Sequence, residues 1–178
     1  ALRYGVEALS KISVDLNVSI PVGKDSLSMR TKWSEKNHEL EVSSPLSGIV
    51  TAMAPVEDVS VAVTPELNLD EDSTILLIKL DENNRLAGSI FSEITESKYE
   101  NTPDIEDTKK FNNLFTSIQG LVKDQQILSM HDISDGGLIT SLLEMCFTKK
   151  VGMTLNLGSV SDINSFLFSE EIGFVIQV

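Results

Sequence analysis

The chain has 178 residues, with 14 Lys and Arg against 27 Asp and Glu, a formal net charge of −13. At 41% hydrophobic and 23% charged it has a globular composition, with enough apolar material for one domain or two small ones. So acidic a chain, with no basic patch beyond Lys149-Lys150, is expected to bind neither nucleic acid nor an anionic membrane, and a phosphate ligand would need a metal ion, a helix N-terminus or backbone N–H groups.

The single cysteine, Cys146, lies in an apolar run and reads as a core residue of a protein kept in a reducing compartment. No apolar stretch reaches the roughly 18 residues of a membrane span, and the N-terminus lacks a charged-then-apolar leader, so a cytoplasmic location is expected. A start in mid-helix and an end inside an apolar run suggest a piece of something longer.

In chain order, Leu2, Val6, Leu9, Ile12 and Leu16 recur at helical spacing, with Asn17 as a stop. Leu27 to Trp33, a polar Ser34 to His38 turn and Glu39 to Val42 predict a hairpin. Leu46 to Ala54 predicts a further strand, ended by Pro55. Val59, Val61 and Val63 alternate as a strand would, and Thr74 to Leu80 is a nearly continuous apolar strand. Leu86 to Ser89 opens a helix carrying Ile90, Phe91 and Ile94, and Thr95 to Asp107 reads as loop. Phe111 to Val122 has a helical stripe, Gln126 to Met130 is a strand, and Leu138 to Phe147 is a strongly apolar helix. Val151, Met153, Leu155 and Leu157 alternate as a strand, Asp162 to Phe168 is a short helix, and Phe174 to Val178 closes with a strand. The order predicts an α+β domain over residues 56–178, preceded over 1–55 by the tail of another, mostly β, domain.

Two constellations carry chemistry. Met130-His131-Asp132-Ile133-Ser134-Asp135-Gly136-Gly137-Leu138 sits at a strand-to-helix junction. Asp132 falls where the strand ends, Ser134 or Asp135 where a helix N-cap belongs, and the two glycines remove Cβ atoms near the first helical turn. Such a junction offers N–H groups to phosphate oxygens, a carboxylate to a divalent cation and a hydroxyl to a phosphate. It is equally what an ordinary Ser/Asp cap after a Gly-assisted turn looks like, with His131 merely packed or hydrogen-bonded.

The second constellation, Pro21-Val22-Gly23-Lys24-Asp25-Ser26-Leu27-Ser28, is not a P-loop, because Val18 stands where Walker A needs Gly and strand-like residues come after it. Lys24 can meet a phosphate as a point charge, Asp25 a cation and Ser26 a phosphate oxygen, or the segment is a solvated strand turn. Glu170-Glu171, in an apolar tail, is either a helix end or a pair of carboxylates lining a polar cleft. With two His and one Cys, no zinc site is expected.

Five blocks in order, Ser19 to Met29, Ser44-Pro45-Leu46-Ser47, Ala54 to Val59, His131 to Leu138 and Phe168 to Val178, together resemble the second synthetase half of the large, single-chain phosphoribosylformylglycinamidine synthases. The resemblance implies a purine-biosynthetic ligase in which ATP activates the amide of formylglycinamide ribonucleotide and ammonia from glutamine displaces the phosphate. It implies an AIR synthase-like fold: residues 1–55 as the end of an N-terminal half-barrel domain, and 56–178 as most of the C-terminal α+β domain.

On that pattern Asp132 matches a magnesium-ligand position and Ser134 a nucleotide contact, in a second Mg–ADP/ATP site regarded as structural. Gly23, Lys24 and Ser26 match a segment that in smaller, multi-subunit relatives reads Gly-Asn-Val-Ser and touches ATP, magnesium and substrate; here Lys24 and Asp25 stand in place of Asn and Val. Glu170-Glu171-Ile172 stands where substrate-binding halves carry Glu-Ser-Gln. The partners implied are the remaining synthetase and glutaminase domains of the same polypeptide. Without them the piece is expected to be inactive and, with half a barrel exposed, to self-associate. The alternatives are a scaffold module that binds nothing, and another AIR synthase-superfamily ATPase of the hydrogenase-maturation or selenophosphate type.

Overall fold

A computed structural model describes residues 2–24, 26, 29–69 and 72–178, and divides the chain into two units, Ala1–Pro55 and Val56–Val178. In the first unit, α1 (Leu2–Asp15) leads to a hairpin of β1 (Arg30–Glu35) and β2 (His38–Ser43). The hairpin pairs Glu35 with His38 across Lys36 and Asn37, both at positive φ (49° and 68°), so the turn is two residues long and tighter than the sequence pattern suggests. That is the backbone twist a two-residue hairpin demands. No residue of α1, β1 or β2 is buried.

The strand expected over 46–54 does not form. The segment is irregular, with Ile49 and Met53 each 92% exposed, because no strand hydrogen-bonds to it among the described residues. An apolar run supplies a strand's surface but not its partner, and an unpaired strand is not stable alone.

In the second unit, a single 3₁₀ turn (Val59–Val61), closed by Asp58 accepting from Ser60, replaces the strand expected from the alternating valines. A three-stranded antiparallel sheet comes next, in the order β3 (Ile75–Lys79), β5 (Gly173–Gln177), β4 (Ser129–Asp132). Central β5 places Val175 between Leu77 and His131, and Ile176 between Leu76 and Met130. Since side chains alternate across a strand, Val175 and Ile176 enter opposite cores. One face packs Val175, Ile75 and Leu77 on Leu138, Leu142, Met145 and Cys146 of α4 (Gly137–Lys149). The other packs Ile176, Ile78, Phe174 and Met130 on Leu114, Ile118 and Leu121 of α3 (Thr108–Lys123). The cysteine is buried and free.

Helix α2 is shorter than expected, Ile90–Ile94, because Gly88 breaks the backbone at φ 77° and Ser89 caps the remaining turn and a half. Strand β4 starts later than expected, at Ser129, since Ile127 turns into the α3 core. Residues 151–157 form no strand. Met153 and Leu155 remain over one-third exposed, with Val151 held instead by the Cys146 carbonyl at 3.2 Å. Buried Gln177 is satisfied at both ends of its amide, donating to the Asn68 carbonyl and the Ser73 hydroxyl and accepting the Asn68 N–H. No helix is long and apolar enough to cross a membrane among the described residues.

Short helix α5 (Ile163–Phe168) is capped by Asp162. Hydrogen bonds from the Ser165 hydroxyl and then the Ser165 amide hold its carboxyl below the usual aspartate range. A lowered native pKa gives a contribution fully present above the unfolded value, about 4, and lost as pH falls through the native one. Asp162→Asn should therefore flatten part of the fall in thermal stability below about pH 4 and leave neutral-pH stability nearly unchanged, as melting curves across that range will read.

Candidate functional site

The conspicuous polar region of the second unit is built where β4 runs into α4 and where the α5–β5 link returns to the sheet. Asp132 ends β4, its side chain 68% exposed. Its main-chain carbonyl is held twice, by the Ser141 hydroxyl at 2.9 Å and by His131 Nδ1 at 2.6 Å. His131 Nε2 lies 2.8 Å from the Glu144 carboxylate, so both ring nitrogens are engaged. The register of β4 explains this: His131 shares a face with Val175 and looks toward α4, while Asp132 belongs to the opposite face and continues into the loop.

Neither Ser134 nor Asp135 caps α4. The cap is Gly136 at φ 86°, in the left-handed region, with no side-chain hydrogen bond of its own. Gly137, at φ 72°, is next, and a Cβ on it would stand 2.6 Å from the Phe168 carbonyl carbon. Gly137 therefore makes room for the end of α5, while Gly136, where a Cβ would collide with Thr140 Oγ1, makes room for the first turn of α4 itself. The Ser134 carbonyl accepts the Gly137 N–H at 3.0 Å; its exposed hydroxyl makes no hydrogen bond among the described residues.

The carboxylate missing from the cap comes from far along the chain. Glu170 Oε1 accepts the Gly136 N–H at 2.8 Å and the Ile90 N–H, at the start of α2, at 2.9 Å. Its neighbour Glu171, with a side chain only 4% exposed, receives a two-pronged grip from Arg85, Nε to Oε1 at 2.6 Å and Nη2 to Oε2 at 2.8 Å, and also accepts the Arg85 N–H at 3.1 Å. Arg85 further reaches Glu106 and the Asp104 carbonyl. The hydrogen bonds to Glu171 hold the guanidinium well above its ordinary pKa. Lys79, paired in register with Gly173, donates to the Asn83 carbonyl and to Asn84 Oδ1, and burial lowers its pKa against the opposing pull of Glu171, Asp81 and Glu82. The tail carboxylates thus serve internal partners instead of lining an open cleft.

In the first unit, Gly23, Lys24 and Ser26 lie exposed on irregular backbone between α1 and β1, and a Cβ on Gly23 would meet nothing within 4 Å. Asp25, Leu27 and Ser28 of that motif lie outside the described residues. No three His, Cys, Asp or Glu side chains gather as a metal-holding group among the described residues. Sequence reasoning noticed Glu170-Glu171 but missed its partners. The available signal was the isolated Arg85 in a polar turn, a charge able to pair a carboxylate set in an apolar tail.

Residues 70–177 match the family model described as AIR synthase related protein, C-terminal domain. The chain belongs to that family. Residues 1–55 match the model described as FGAR-AT PurM_N-like domain, and the two matches in this order correspond to the AIR synthase-like region of formylglycinamidine ribonucleotide (FGAM) synthase. The α+β architecture of the second unit fits the AIR synthase-like fold.

Removing Arg85 would strand a buried carboxylate beside β5 in this AIR synthase related domain. Arg85→Ala is expected to cost about 3–5 kcal/mol in urea unfolding, with Arg85→Lys intermediate because an ammonium keeps the charge but not the fork. Equal stability of all three proteins would contradict the ion pair's structural role.

Proposed function

We propose that this chain forms part of a FGAM synthase, a cytoplasmic carbon–nitrogen ligase that uses ATP and glutamine to convert formylglycinamide ribonucleotide into formylglycinamidine ribonucleotide, and that its own share is a Mg–ADP/ATP site of the auxiliary, structural kind. The observation that supports this best is the β4–α4 loop. It offers an exposed Asp132 carboxylate and an uncommitted Ser134 hydroxyl between two pinned ends. Magnesium takes one or two carboxylates plus phosphate oxygens, so the exposed Asp132 carboxylate, 3.4 Å from His131 Nδ1, fits its donor set. When bound, the cation would neutralise phosphate charge. Asp132 would hold it, Ser134 would donate to a phosphate oxygen, and His131 with Ser141 would keep the Asp132 backbone in place.

On this reading Gly23, Lys24 and Ser26 form a second phosphate-contacting segment, with Lys24 as a point charge. The catalytic groups lie in other domains of the same polypeptide, synthetase and glutaminase, so this piece alone has no ligase activity. The apolar stripe of α1 and segment 46–54 would dock on those domains; without them, sedimentation velocity should show dimers or larger species, and a clean monomer at high concentration would oppose this.

One observation favours the scaffold alternative: Glu170 already occupies the anion-accepting end of α4. Calorimetry separates the two. ADP should bind with magnesium and not with EDTA, and Asp132→Ala should weaken binding roughly tenfold or more. No binding heat from the unmodified chain would overturn the nucleotide site and leave the scaffold reading.

A further inference from the structure

Glu170 joins elements far apart in sequence. It is half-buried in the link between α5 and β5, and one oxygen accepts two backbone N–H groups, Ile90 opening α2 and Gly136 preceding α4. Its surroundings leave it little freedom. Glu171 beside it is gripped by Arg85, and Phe168 before it stacks on Phe91 at a ring separation of 4.7 Å. The Leu167–Phe168 backbone lies so close to Gly137 that a Cβ there would clash at 2.6–2.8 Å.

This arrangement closes a short backbone span at both ends. Asp132 is fixed through its carbonyl by Ser141 and His131, and Gly136 is fixed through its N–H by Glu170. Between them lie Ile133, whose N–H is taken by the Gly173 carbonyl, then Ser134 and Asp135. With no side-chain cap from within the loop, Glu170 is the group that sets its far end.

We propose that Glu170 is the positioning residue of this loop: its carboxylate touches no ligand, and holds Gly136 so that Asp132 and Ser134 keep one arrangement. The proposal rests on the nucleotide reading of the loop. It also deepens that reading, because a carboxylate bonded to Gly136 turns phosphate away from the α4 N-terminus by like charge, leaving the cation at Asp132 and the Ser134 hydroxyl as the route to phosphate.

The test compares the unmodified chain with Glu170→Ala and Glu170→Gln. In ¹⁵N-resolved spectra, E170A should move the Ile90 and Gly136 amide protons together, speed their exchange and shift the Asp132 to Asp135 signals. E170Q, which keeps an acceptor oxygen and the side chain's size, should hold the loop signals near their original positions, and it also guards against a misfolded E170A. Added formate should restore the Gly136 signal in E170A, a rescue that general loss of packing would not give. Unmoved Gly136 and loop signals in E170A, or E170Q as disturbed as E170A, would overturn the proposal. With magnesium and ADP, E170A should bind roughly tenfold more weakly, as when a partner behind a ligand is removed, with E170Q near the unmodified chain. Unchanged or tighter binding by E170A would mean that Glu170 merely blocks an anion site, and would also overturn the proposal. If the unmodified chain binds no ADP, the nucleotide reading falls, and the spectra still decide whether Glu170 sets the loop.

Discussion

Two adjacent carboxylates at the entry to β5 are the constraint on which the second unit depends. β5 is the middle strand and feeds both cores, so whatever fixes its entry fixes the helices on either side. A carboxylate removed from water costs several kcal/mol unless it is paired and hydrogen-bonded, and the link before Gly173 withdraws Glu171 almost fully. The chain meets this with the Arg85 fork and, for Glu170, with two N–H groups at helix starts. Each partner brings its own segment: Arg85 the turn after β3, Ile90 the start of α2, Gly136 the start of α4. Polar satisfaction acts together with apolar contact to place these three segments around the strand.

Much of the fold could be read from periodicity alone. α1, α3 and α4 each show apolar residues at helical spacing, and β3 and β5 are the continuous apolar runs expected of strands covered on both faces. The misreadings share one cause. Residues 59–63 and 151–157 alternate as strands do and 46–54 is an apolar run, yet a strand is a relation between segments, and neither pattern says whether a segment will pair with a sheet edge. Asp58 draws Val59 to Val61 into a 3₁₀ turn, and the other two segments stay irregular. Boundaries slipped for a similar reason. Gly88 adopts left-handed backbone that no periodic pattern foretells and delays α2, whereas α4 begins at Gly137, one residue before the Leu138 expected.

The candidate site was legible in part. That Asp132 ends a strand and that His131 is bonded rather than free both accord with a polar pair at the edge of an apolar run. The identity of the cap could not be had that way. Ser134 and Asp135 have the right chemistry in the right place, but the left-handed Gly136 turns the backbone so that the cap has no side chain of its own, and the carboxylate arrives from 34 residues downstream. Tertiary contact of this kind leaves no local mark beyond the absence of a local alternative.

This substitution of a distant carboxylate for a local cap bears on how so acidic a chain could meet a phosphate. A net charge of −13 repels anions at long range, and the α4 N-terminus, the local feature that would offset it without a metal, is satisfied by Glu170. Asp135 and Glu144 add negative charge along the same junction. On the proposed nucleotide reading, a phosphate would approach this loop together with a cation, and the exposed carboxylate with a pinned backbone that would hold it is that of Asp132. If the proposal holds, the internal carboxylate would shift selectivity from any anion toward a metal-bound one, a distinction that an uncapped helix N-terminus could not make.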